Sequence, residues 1–219
     1  FQGGMGTTRL GNFTTESSGL GDTKLSGLIR LYDDNTHHFH LNAGLSLPTG
    51  DIEETDDILT PMGMRPTVRL PYPMQLGSGT FDALPGLTYT GRHEAIGWGA
   101  QWGSEIRLGR NDESYALGDK HMLSAWTSYS PAPWISGSLR LTGSTQDEID
   151  GRDANIMGPV QTANPDFQGG ERLDLGIGIN LAGQKGLLRG HRIGLEVGVP
   201  LYQDLNGPQM ETDFTVTVG

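Results

Sequence analysis

Apolar and polar side chains alternate with a period of two along most of this chain, and the alternating stretches are longer than an ordinary soluble sheet uses. From Glu94 to Leu108, Ile96, Trp98, Ala100, Trp102, Ile106 and Leu108 share one face, while Gly97, Gly99, Gln101, Gly103, Glu105 and Arg107 share the other. Phe39, Leu41, Ala43, Leu45 and Leu47 alternate with His38, His40, Asn42, Gly44 and Ser46. Leu173, Leu175, Ile177, Ile179 and Leu181 repeat the pattern, as do Ile193, Leu195, Val197 and Val199, and then Phe214, Val216 and Val218. Weaker segments lie at 24–32, 80–90, 119–130 and 134–145, with a partial one in the first ten residues. The reading is about ten strands of ~9–15 residues, against ~5–6 in soluble sheets and ~9–11 for an oblique bilayer crossing.

The connections alternate in length. Brief turns at 33–36, 91–93, 131–133 and 183–190 would lie on one rim, and excursions at 11–22, 48–79, 110–118, 146–170 and 201–209 on the other, as an outer-membrane barrel requires. In hydrocarbon each unmet backbone N–H or C=O costs several kcal/mol, so strands with one apolar face are most stable when the sheet closes on itself. The expected fold is all-β, an antiparallel up-and-down transmembrane β-barrel, with residues 1–219 forming a single domain.

Composition narrows the alternatives. Glycine supplies 34 of 219 residues without a collagen period, which suits the narrow lumen of a small barrel. No run reaches the ~18 consecutive apolar residues of a transmembrane helix. A formal net charge of -11 repels phosphate backbones, so nucleic acid is not an expected partner. With no cysteine there is neither a disulfide nor a thiolate site. Phe1 is followed by no signal-peptide pattern, so a signal peptide has been removed or the sequence is a fragment.

The alternation assigns Leu41, Leu45, Ile96, Trp98, Trp102, Leu175, Ile177, Leu195 and Val197 to lipid. It assigns Arg30, His38, His40, Glu105, Arg107, Arg140, Arg172, Asp174, Arg192 and Glu196 to the lumen, with Lys120, Glu211 and Asp213 beside them. Trp98, Trp102, Trp126, Trp134, Tyr89 and Tyr129 read as an interfacial aromatic girdle more readily than as stacking platforms.

No metal or other cofactor is expected. His38 and His40 on one strand face, and the soft thioethers Met62 and Met64 in the long loop, are weak candidates for metal, outweighed by a polar lumen and a packed loop. Two acidic runs, Asp51 to Asp57 and Asp147 to Asp153, lack the order of a calcium loop and would ring one rim with negative potential, favouring divalent bridging to lipopolysaccharide. No catalytic residue is expected. Gly77-Ser78-Gly79 is not a nucleophile elbow, and Ser124 lies three residues from His121, on opposite strand faces.

The runs Gly21-Asp22-Thr23-Lys24-Leu25-Ser26-Gly27-Leu28 and Leu41-Asn42-Ala43-Gly44-Leu45-Ser46-Leu47-Pro48-Thr49-Gly50-Asp51-Ile52 carry a family resemblance. So do Tyr72-Pro73-Met74-Gln75-Leu76-Gly77-Ser78-Gly79-Thr80 and Pro200-Leu201-Tyr202-Gln203-Asp204-Leu205-Asn206-Gly207-Pro208-Gln209. Over about residues 20–219 the chain resembles the outer-membrane β-barrel family named for the MetA pathway of phenol degradation. The resemblance implies about twelve strands in a full barrel, with this sequence truncated at both ends, and uptake of aromatic compounds.

The function expected from these readings is a non-enzymatic passive channel or transporter for small molecules in the bacterial outer membrane, in contact with lipid, lipopolysaccharide and an envelope protein partner. The alternatives are a structural or partner-binding barrel with a plugged lumen, and a soluble β-sandwich or lipocalin-like binder.

Overall fold

The computed structural model describes residues 2–5, 8–158 and 160–219, with side chains from residue 11 onward. Its strands are β1 (Gln2–Met5), β2 (Thr8–Asn12), β3 (Thr23–Asp33), β4 (His37–Leu47), β5 (Thr55–Asp57), β6 (Thr67–Arg69), β7 (Asp82–Ala83) and β8 (Gly86–His93). They continue with β9 (Ile96–Arg107), β10 (Tyr115–Ala116), β11 (Lys120–Ala132), β12 (Ile135–Gln146), β13 (Asp150–Gly151), β14 (Gly170–Ala182), β15 (Arg192–Leu205) and β16 (Thr215–Val218). Among the described residues no helix is long and apolar enough to cross a membrane.

Ten of these strands form one antiparallel sheet in the order β16-β15-β14-β12-β11-β9-β7-β4-β3, with β8 between β4 and β9. Strands β7 and β8 share both partners, so Asp82 to His93 is one traversal, broken only where Pro85 lacks an N–H. Successive strands are sheet neighbours, which is the up-and-down meander expected. The barrel expectation differs at the edges: β3 and β16 each have a single partner and are not paired with each other among the described residues. The partial segment expected in the first ten residues forms a separate hairpin, β1 with β2, and residues 1, 6 and 7 of it lie outside the described residues.

The cross-strand register carries the side-chain alternation from strand to strand, with shifts in the main sheet at Arg30/Tyr32, Tyr129/Ala132 and Leu173/Asp174. Ile29, Leu41, Leu87, Trp102, Leu123 and Gly143 face one another in sequence, as do Leu141, Leu175 and Val199. A slip of one residue anywhere would exchange the faces. A bulge between Arg30 and Tyr32 restores the phase, so Asp33 stays on the side of Arg30 and His38.

The apolar face is bare. Ile177 is 62% exposed, Ile96 51%, Leu139 47% and Leu195 43%. The buried apolar residues lie in the excursions instead: Leu59, Leu70, Tyr72, Tyr115, Ala116, Ile149, Ile156 and Ala163. Tyr72, Tyr115, Ile149, Ile156 and Ala163 form one cluster, with the two tyrosine rings edge to face at 5.0 Å. The long loops therefore pack on one another as a cap with its own dry core, and burial pushes the Tyr115 hydroxyl up to about 12. Arg69 ties the cap together, reaching the fully buried Asp153 at 3.0 Å and Glu113 at 3.4 Å.

The short turns lie at the other end of the strands, two of them offset from expectation. The strand expected to end before Gly91 runs to His93, and the turn is Glu94-Ala95, with Glu94 left-handed at φ 51. The turn expected at 131–133 is Pro133-Trp134. In the β3–β4 turn, Asp34 accepts the N–H groups of His37 at 2.6 Å and Thr36 at 2.7 Å, and the Tyr32 hydroxyl at 2.8 Å. These donors, the His37 amide foremost, lower the Asp34 carboxyl from 3.8 to about 2. Because the folded value is the lower one, its stabilisation is complete above ~4 and is lost as pH falls through about 2. Amide NMR of Thr36 and His37 should follow a titration with that midpoint, and Asp34→Asn should abolish it.

Candidate functional site

The polar face begins as a consequence of pleating: each residue between two apolar neighbours must point the other way. Arg30, His38, His40, Glu105, Arg107, Arg140, Arg172, Asp174, Arg192 and Glu196 all fall on it by register. Leu41, Leu45, Ile96, Trp98, Trp102, Leu175, Ile177, Leu195 and Val197 fall on the opposite face. Trp98, Leu175 and Leu195 do not meet in a common dry centre, because the buried apolar cluster is in the loops.

The polar face is the inside of the sheet's curve. Lys24 on β3 meets Glu105 on β9 at 3.1 Å, although two traversals lie between them. Three strand spacings of ~4.8 Å amount to roughly the full reach of both side chains laid flat, whereas strand side chains stand perpendicular to the sheet. Only concavity on that side brings them together. Arg140 on β12 likewise reaches Glu196 on β15 at 3.2 Å.

At the loop end this face holds a buried charge network. Arg107 pairs with Asp82, which is fully buried, and with Glu105 at 2.9 Å. Asp82 accepts the Thr80 hydroxyl at 2.6 Å, and the Ser78 hydroxyl lies between Asp82 and Asp22. Sequence periodicity placed Glu105 and Arg107 but missed Asp82 and Lys24, whose role depends on partners far away in the chain. Beside them a cavity of about 500 Å³ is lined by Leu84, Glu105, Lys120, Met122, Gln146 and Arg172.

At the short-turn end Trp126 corrects the aromatic girdle. It lies on the polar face, opposite Gly99 and Arg140, with the Arg140 guanidinium 5.2 Å from its ring centroid. Trp134, in the β11–β12 turn, lines the same side as Trp126, whereas the other candidates fit the apolar side or its rim: Tyr89 accepts from Trp98 Nε1 at 3.0 Å and bonds His37 Nδ1 at 2.9 Å, and Tyr129 is 58% exposed. Trp126 has room because Gly99 has no side chain; a Cβ there would enter its ring. Gly99→Val should therefore cost about 1–3 kcal/mol and release Trp126 from Arg140, seen as a tryptophan emission shift that Gly103→Ala, in open space, does not produce.

Counted over the polar face among the described residues, eight cations (Lys24, Arg30, Arg92, Arg107, Lys120, Arg140, Arg172, Arg192) face five carboxylates (Asp33, Asp82, Glu105, Asp174, Glu196). The chain as a whole carries -11, so the acid is concentrated outside this face. Glu211 and Asp213 belong there too: β16 starts at Thr215, and both lie in the excursion before it. His38 and His40 share the polar face, but His38 Nδ1 is held by Asp33 at 2.6 Å. Among the described residues no group of three or more His, Cys, Asp or Glu side chains is arranged to hold a metal, and Met62 and Met64 are exposed at 80% and 58%.

A search among curated proteins returns no match for the chain. The profile of the family described as "Putative MetA-pathway of phenol degradation" matches residues 2–200, which takes in every strand of the sheet through β14 and the first part of β15, and the chain belongs to that family.

Proposed function

We propose that the chain forms a passive pathway for small molecules, aromatic compounds among them, across the bacterial outer membrane. The observation that carries the reading is the pairing of a bare apolar face with a concave, charged one on the same sheet. In water that apolar area would be an aggregation surface; against lipid it is the solvated side. The edges β3 and β16 would be satisfied by closure, and the capped loops would control entry from the side where the acidic runs lie. Those runs would attract divalent cations and, through them, lipopolysaccharide. Transport down a gradient needs no covalent step, and lumen charge would set selectivity.

A plugged structural barrel with an envelope partner is the second reading, favoured by the ion pairs that bridge the concavity, Lys24 to Glu105 and Arg140 to Glu196. Planar-bilayer recording of the reconstituted protein separates the two. Discrete conductance steps are expected; a sealed bilayer with verified insertion would overturn the pathway and leave the plug.

A further inference from the structure

The concave face has two chemically different ends. At the loop end three of the four cations are neutralised, Arg107 by Asp82 and Glu105, Lys24 by Glu105, and Arg172 by Asp174 at 2.7 Å, while Lys120 has no carboxylate within ion-pair distance among the described residues. At the short-turn end a cavity of about 370 Å³ gathers Arg92, Arg140 and Arg192 from three strands. Of these, Arg140 has Glu196 as a partner, but among the described residues neither Arg92 nor Arg192 has a carboxylate within ion-pair distance. Arg92 Nε instead donates a long 3.4 Å bond to the Glu94 carbonyl. The rest of the lining is mostly polar, four serine hydroxyls and the Asn180 amide with Ser138 beside Arg140, and its smaller apolar part includes Trp126 and Trp134.

We infer that this cavity is a binding site for small organic carboxylates with an apolar body. Two guanidiniums without acidic partners supply planar, bidentate donors that match a carboxylate, and the serine hydroxyl adds a further donor. The tryptophan wall accepts the apolar part, which gives preference over a bare inorganic anion. Arg140, already stacked on Trp126, fixes that wall in place. At the loop end Lys120 alone lacks an ion-pair partner among the described residues, a single ammonium that offers no bidentate fork, so the short-turn end is the better match for a carboxylate. This inference deepens the pathway reading and takes from it only that the concave face is open to water.

Binding is tested in detergent solution, apart from conduction. Benzoate should quench tryptophan emission saturably, and Trp126→Phe should remove most of the response. Benzamide, the same shape without charge, and inorganic phosphate, the charge without an apolar body, should each bind at least tenfold more weakly. Arg92→Gln with Arg192→Gln should weaken benzoate at least tenfold and leave the circular dichroism spectrum unchanged. Equal binding of benzoate and benzamide, equal binding of phosphate, or a double variant within twofold of the parent would overturn the site. Conductance without benzoate binding sinks this inference and spares the pathway; benzoate binding without conductance does the reverse.

Discussion

Asp82→Ala is expected to destabilise the protein by about 3–5 kcal/mol, measured by urea unfolding in detergent micelles. Asp82 is wholly buried, and the Arg107 side chain beside it is 5% exposed. Removing the carboxylate strands a guanidinium that cannot reach bulk water, and it also deprives the Thr80 hydroxyl of its acceptor. Glu105, still 2.9 Å from Arg107, retains part of the compensation and sets the loss toward the lower end of that range. Asp82→Asn keeps an acceptor for Thr80 and loses only the charge, so it should cost less. Removing both charges together, with Asp82→Leu and Arg107→Met, should recover most of the stability, because two apolar side chains have no unmet pairing requirement. A double variant no better than the single one would mean that packing of the 78–82 segment, and not the ion pair, holds this end of the face.

That contrast also marks where sequence reading stops. The strands were legible because pleating forces a period of two on them: the stretch from Leu173 to Leu181 cannot alternate in that way as a helix, and the structure carries it through β14 with both faces intact. The polarity of each face followed from the same rule. Trp126 was misplaced because its bulk and apolar character suggest a girdle, although it lies between Ala125 and Thr127 and parity puts it on the polar side. What seats it there, Gly99 beneath and Arg140 alongside, comes from two other strands. The loop cap was invisible for a related reason. Tyr72, Tyr115, Ile149 and Ile156 come from three excursions with no periodicity, and only the tertiary fold brings them into one cluster. Asp82 pairs with Arg107 across 25 positions, and nothing local distinguishes it from the exposed acids of the neighbouring loops.

Ile177→Arg tests the apolar face directly, because the same substitution has different costs in the two environments that the fold permits. Ile177 lies near the middle of β14, is 62% exposed, and is flanked across the sheet by Leu139 and Val197. In a water-soluble protein a residue that exposed tolerates a charge within about 0.5 kcal/mol. Facing the bilayer midplane, an arginine costs about 2–4 kcal/mol, falling toward zero near the interfaces. Equilibrium folding into phospholipid vesicles should show the larger loss for Ile177→Arg, and a smaller one for Tyr129→Arg, which sits beside the short-turn rim. The gradient with depth is the informative quantity, since packing defects alone would not track distance from the rim. Near-neutral behaviour at Ile177 would mean that the bare apolar face meets water rather than lipid, and the outer-membrane pathway would fall with it.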